Sequence, residues 1–320
     1  MRALLPRLQV GARRYPLALI AFGVTLYSAG PVLLQASGVS GPVFSFWRLW
    51  IGVVVLGAAT VAQRGMGAAW PSWAQWRWAV LAGVAFGVHQ LLFFTAVRIT
   101  TVVDVALMNA LAPVVTAVGA YAMFRERPGA GFWTWATVAI AGAGVLAVAA
   151  SSAPSGDPAG MLMAVLNVGF FAWFFLLSKR GREHLRVVPF LFGTMVVAAL
   201  VVTLFTAVSR APVGAVTTAD LLLAGGVAVG PGAIGHLVMT WPLRFVPANI
   251  PPVMRLAQPV IAGVLAWWVV GEALSWRHLV AGVLVLAGAA GTAMGRDGRA
   301  LRAEAAADAP ELALPQAPPH

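Results

Sequence analysis

The chain has 320 residues, 60% of them hydrophobic and 10% charged, with a formal net charge of +11. Soluble proteins carry about a quarter charged residues, and so few charges cannot coat a soluble fold of this size. The composition argues against a soluble enzyme, a disordered chain and a nucleic-acid binder. The lack of cysteine removes a disulfide frame, thiol catalysis and cysteine-based metal sites. The class expected is an all-α polytopic membrane protein.

A helix needs about 20 apolar residues to cross a bilayer. Ten such runs follow one another at 16–36, 42–62, 77–97, 101–124, 132–150, 159–178, 188–208, 220–242, 247–270 and 277–295. Short polar or Gly/Pro-rich segments separate them, among them SGVSG (37–41), RERPGAG (125–131), APSGDP (153–158) and SKRGREHLR (178–186). Barrel strands would be about half as long and would alternate in polarity, so helices are expected. The first run follows Arg2, Arg7, Arg13 and Arg14, as a signal peptide would. Its apolar stretch PLALIAFGVTLYSAGPVLLQ (16–35) is longer than a signal-peptide core, so it counts as the first span. The Ala- and Pro-rich segment 296–320 reads as a disordered cytoplasmic tail.

Charge placement sets the orientation. With the N-terminus inside, the inner segments hold Arg2, Arg7, Arg13 and Arg14, then Arg64 and Arg77, then Arg125 and Arg127. They go on with Lys179, Arg180, Arg182 and Arg186, then Arg244, then Arg296, Arg299 and Arg302. The outer loops hold Arg98, Arg210 and Arg277. This is the positive-inside bias, and it predicts an inner-membrane protein with both termini cytoplasmic. The high net charge then follows from topology. Trp70, Trp73, Trp76 and Trp78 crowd the approach to the third span and read as interfacial anchors.

The chain also repeats itself. At a shift of 146 residues, Arg98, Met108, Pro113, Glu126 and Gly142 fall on Arg244, Met254, Pro259, Glu272 and Gly288. At a shift of 143, Gly83 and Gly87 fall on Gly226 and Gly230. Two related halves of five spans each, 16–150 and 159–295, must sit in opposite orientations because five is odd. Inverted repeats around a midplane site mark secondary transporters. The pairs Gly83/Gly87, Gly226/Gly230 and Gly291/Gly295 predict close helix crossings.

The ten spans, the doubled half, Arg48 in the second span, Pro113…Glu126, and Pro259…Gly271-Glu272 before a glycine-rich last span resemble the EamA-type branch of the drug/metabolite transporter superfamily. The resemblance covers about 16–295. It implies a pathway lined by spans 1–4 and 6–9, with spans 5 and 10 as scaffold, and a transporter that exports small organic metabolites. The second half has no arginine matching Arg48, and the first span lacks the glutamate that small multidrug-resistance relatives use for proton exchange.

The polar residues inside the spans are the site candidates. An arginine at a helix centre costs about 2.5–3.5 kcal/mol. Arg48 lies six residues into the second span. It has two readings, a cavity-facing anion binder or a side chain that snorkels outward or pairs with Asp104. Arg255 lies in PANIPPVMRLAQPV (247–260), where Pro251, Pro252 and Pro259 predict a kinked or unwound ninth span. Its competing readings are a cavity residue and a side chain reaching inner headgroups. Asn109 and Gln258 flank the paired prolines, and His89 and Gln90 fall mid-span. Tyr27, Trp47 and Trp50 could supply aromatic walls, and Trp50 also suits core packing. Asn167, Asn249 and His236 read as interhelical hydrogen-bonding groups. The candidate substrate site is thus Tyr27, Trp47, Arg48, His89, Asn109, Arg255 and Gln258. Glu126 and Glu272 read as partners for the N-terminal dipoles of the helices that follow them.

No HExxH, GxSxG, P-loop or Asp-rich diphosphate motif is present in the sequence, and no cofactor or metal is expected. The expected partners are the lipid bilayer and a small-molecule substrate, anionic or zwitterionic. The alternatives are an intramembrane enzyme acting on lipid-linked substrates, which would need clustered acids or histidines, and a non-transporting membrane scaffold.

Overall fold

The computed structural model describes residues 16–99, 105, 108–150, 157–244, 246–258, 260–261, 264 and 276–294. The terminal arginines and the 296–320 tail lie outside them, as do Asp104, Pro259, Gly271, Glu272 and Gly295. Among the described residues the elements are all helical. They are α1 (Pro16–Gln35), α2 (Gly41–Gly65), α3 (Trp73–Ile99), α4 (Ala112–Phe124), α5 (Ala130–Ala150), α6 (Pro158–His184) and α7 (Val187–Val208). After them come α8 (Thr218–Arg244), α9 (Ile250–Met254, running into a 3-10 turn at Arg255–Ala257) and α10 (Trp276–Met294). Six of these, α1–α3 and α6–α8, are long and apolar enough to cross a membrane. Shorter apolar helices occur at Ala112–Phe124, Ala130–Val145 and Leu279–Thr292. Val54, Val208 and Leu222 are largely exposed on the outside of the bundle, as suits a surface solvated by lipid.

The helix starts follow local chemistry. Asp157 accepts a hydrogen bond from the Ala159 amide at 2.7 Å and caps α6, with Pro158 in its first turn. Thr217 and Asp220 form a reciprocal capping box at the start of α8. The Asp220 carboxylate also accepts from the Gly38 amide at 2.8 Å, which ties the α1–α2 turn to α8.

Packing follows a pattern that survives exchange of helix n with helix n+5. Helix α3 packs on α6 and α7, and α8 packs on α1 and α2. Helix α4 meets α6, and α9 meets α1, while α2 crosses α7 and α5 crosses α10. The α5–α10 crossing is reciprocal at the residue level. A Cβ on Gly142 would lie 2.7 Å from the Val285 backbone nitrogen, and one on Gly288 would lie 2.5 Å from that of Ala139. Gly142 matches Gly288, and Ala139 matches Val285, at the same 146-residue shift.

Several expectations need correction. Pro251 and Pro252 fall in the first turn of α9. Amides there have no intrahelical partner, so the two prolines begin a helix rather than break one. The irregularity lies just after them, in the 3-10 turn that starts at Arg255. The eighth span is the more disturbed one. It passes through a π-helical segment, Ala228–Gly235, with Pro231 inside it. The glycine pairs also diverge. Cβ atoms on Gly83 and Gly87 would collide with Val197 and Val201 of α7, whereas one on Gly230 would meet no described atom of another helix within 4 Å. Glu126 does more than face a helix end. It forms an ion pair with Lys179 of α6 and accepts from the Ala248 amide at 3.1 Å. Lys179 also donates to the Val246 carbonyl at 3.1 Å.

Candidate functional site

The site begins with a missing amide. Pro31 lies inside α1 and has no N–H, so the carbonyl four residues earlier, that of Tyr27, lacks its helical donor. The Gln258 side-chain amide donates to that carbonyl at 3.1 Å. In return the Ser28 hydroxyl donates to the Gln258 backbone carbonyl at 3.2 Å. The interrupted parts of α1 and α9 are thereby joined, which fixes Arg255 beside Tyr27.

The π-helical segment of α8 supplies the next wall. At its end Gly235 brings the backbone against the Tyr27 ring, 2.9 Å from where a Cβ would stand. The following residue, His236, shares a 2.7 Å hydrogen bond with the Tyr27 hydroxyl through Nδ1. Its ring meets Phe86 edge-on at 4.7 Å. The His89 ring lies 4.8 Å from that of Phe171.

These elements enclose a cavity of about 60 Å³, room for several waters at about 10–15 Å³ each on this measure. Tyr27, Arg48, His89, Arg255 and Gln258 all line it, as do Gln90, His236, Phe93, Phe94 and Phe171. The Arg255 guanidinium stacks 3.8 Å from the Phe171 ring centre. Arg48 is 4% exposed and lies 5.8 Å from the ring centres of both Phe86 and Phe94. Among the described residues, Arg48 Nε, Arg255 Nε, His89 Nδ1 and Gln90 Oε1 are buried without a hydrogen-bond partner. The ion pairs between described residues are Lys179–Glu126 and Arg180–Glu183, and neither reaches the cavity. The Arg48–Asp104 pairing falls outside the described residues.

Two of the sequence candidates are elsewhere. Asn109 accepts from the Asn167 amide at 3.1 Å, a bond joining the approach to α4 with α6, and it does not line the cavity. The Trp47 indole donates to the Val213 carbonyl at 2.8 Å and pins the α7–α8 connection. Trp50 likewise serves packing, donating to the Thr203 hydroxyl of α7 at 3.0 Å. Conversely, His236 and the three phenylalanines belong to the cavity although sequence reasoning did not select them. The signal for His236 was Pro231, a proline in mid-span that re-aims the residues after it.

This arrangement can bind an organic anion. Two guanidinium groups offer donors in planar, bidentate geometry, and the aromatic faces beside them can hold a flat or greasy body. Neither guanidinium has a carboxylate partner among the described residues, and buried cations without one are costly, so an anion entering the cavity would gain from both.

Comparison with known proteins gives the chain a lineage. The model of the EamA-like transporter family matches residues 15–148 and 158–294. The uncharacterized transporter YwfM of Bacillus subtilis (strain 168) is 29% identical over 238 residues, covering 72% of this chain and 77% of the relative. A protein crystal structure resembles the chain with a TM-score of 0.74 at 20% identity, over 88% of this chain and 97% of that one. That last likeness bears on fold alone. Matched over most of its length by one family and built from apolar helices, this multi-pass membrane protein belongs to the EamA-like transporter family.

Proposed function

We propose that this chain exports a small organic metabolite bearing a carboxylate or another anionic group, by alternating access across the cytoplasmic membrane. One observation carries the anionic reading. Arg48 of α2 and Arg255 of the α9 region line one cavity that has no carboxylate among its described lining residues. Recognition by charge and shape is what a carrier needs. The outward direction rests on the family resemblance.

In this reading ten spans form two inverted halves, 16–150 and 159–295, with both termini in the cytoplasm. The reciprocal α5–α10 crossing and the contact pattern that survives exchange of the halves support it. So does the arginine bias between the two sets of loops. Alternating access has physical support in the uneven sealing of the bundle. The cavity sits beside Gly30, Pro31, Phe93 and Phe94, toward the α1–α2 turn. Toward the other end, Glu126 and Lys179 bridge to the backbone at Val246 and Ala248.

The test begins with metabolite profiles of deletion and overexpression strains, which identify the substrate. Transport in proteoliposomes follows. Arg255→Ala and Arg48→Ala are each expected to lower the rate at least about tenfold, the effect of losing roughly 1.4 kcal/mol of binding. Arg→Lys at either site retains part of the rate, because the charge stays and the bidentate fork is lost. A substrate without negative charge, or normal transport by both alanine variants, would overturn the reading. Accessibility labelling that put the segments before α1 and before α6 in one compartment would remove the inverted halves.

A further inference from the structure

A second cavity of about 190 Å³ lies at the other end of α2. Sixteen residues, about 24 Å of helical rise, separate its Arg64 from Arg48. It is formed where the end of α2, the 68–71 loop and the α6–α7 turn meet.

Its construction is specific. Gln75 braces the two sides, accepting from the Ser72 amide at 2.8 Å and donating to the His184 carbonyl at 3.0 Å. Arg64, His184 and Arg186 all line it, and no Asp or Glu is among its described lining residues. The Arg64 guanidinium lies 5.5 Å from the Trp70 ring centre, so its position is held without neutralising its charge. Leu185 and Pro189 are buried and give the cavity an apolar floor.

Two further features decide what kind of anion fits. Trp73 is 81% exposed next to the cavity, and Trp70 forms part of its wall. Indole rings at the end of a membrane span sit at headgroup depth. Val61 and Val54 of α2 are also exposed, and they leave an apolar track leading away from Arg64 along the helix. A free phosphate would use the cations alone, whereas a phospholipid would use the cations, the indoles and the track together.

We propose that this cavity binds the phosphate headgroup of an anionic phospholipid, held by Arg64 and Arg186, with the acyl chains lying along the outward face of α2. The site is independent of the transport cavity and of its proposed substrate.

The experiment uses the purified full-length chain, delipidated in detergent and titrated with phosphatidylglycerol or phosphatidylcholine under native mass spectrometry. Phosphatidylglycerol is expected to be retained preferentially. Arg64→Gln and Arg186→Gln are each expected to reduce that preference about fivefold, the contribution of one basic side chain near an anionic surface. Arg64→Lys keeps most of the preference, because the cation remains. A photoreactive phosphatidylglycerol is expected to crosslink to the 60–75 or 184–189 peptides. Equal retention of the two lipids, or crosslinks confined to other segments, would overturn the proposal. Displacement of the lipid by millimolar inorganic phosphate would overturn it too, and would reassign the cavity to a soluble phosphate.

Discussion

Helices α3 and α8 are counterparts in the two halves, aligned at Gly83/Gly226 and Gly87/Gly230, yet they do different work. Helix α3 runs unbroken from Trp73 to Ile99, and its glycines press it against α7. Helix α8 carries a proline and a π-helical segment in the same region, and the two aligned glycines, Gly226 and Gly230, touch little. Both lend residues to the cavity, His89 and Gln90 from α3, Val227, Pro231 and His236 from α8. The repeat supplies a common scaffold, and departures from the repeat shape the cavity. A close-packed glycine seam leaves no slack for a wall to move. A π-helical segment stores a register change that a small rearrangement can use.

The largest effect in this comparison is expected from Gly83→Leu. Its first side-chain carbon would stand 2.6 Å from Val197 Cβ and 2.8 Å from the Thr194 carbonyl oxygen, where only backbone movement gives relief. Overpacking of this kind costs about 1–3 kcal/mol or more, so the yield of folded protein and its Tm in detergent should both fall clearly. An unchanged Tm would mean that α3 and α7 are not in close contact.

Pro231→Ala comes next, and its two readouts should move in opposite directions. It returns an amide donor to the middle of α8, and an interior proline costs about 3 kcal/mol. A higher Tm is expected together with transport slowed about threefold or more, the usual exchange of activity for stability. Faster transport would show that the π-helical segment is incidental.

Gln258→Leu should be milder. It removes the donor to the Tyr27 carbonyl, a membrane hydrogen bond worth about 0.6–2 kcal/mol, and lowers Tm by a few degrees. Gly230→Ala is expected to be smallest. With open space at its Cβ position, stability should stay within about 0.5 kcal/mol of wild type. A large loss there would erase the contrast with Gly83.

Much of the fold is legible in the sequence because bilayer thickness imposes a length on every span. The runs at 42–62 and 188–208 correspond to Gly41–Gly65 and Val187–Val208. What proline does is harder to read, since its effect depends on where a helix starts. Pro251 and Pro252 read as a break until α9 is seen to begin at Ile250, while Pro231 sits in a real one. In the candidate site, charged and aromatic groups within spans stood out because lipid does not satisfy them, as with Arg48 and Arg255. Asn109 and Trp47 stood out for the same reason, but Asn167 and the Val213 carbonyl satisfy them locally. Spacing along a chain does not reveal partners of that kind.

The carbonyl of Tyr27 has a wider consequence. Its helical donor was deleted by Pro31, and its replacement belongs to a helix on the other side of the duplication. Drawing α9 away from α1 would strip a polar oxygen at membrane depth, and hydrocarbon cannot compensate it. Were the two helices to part, something wet would have to arrive between them, which would make hydration a precondition of opening rather than its aftermath.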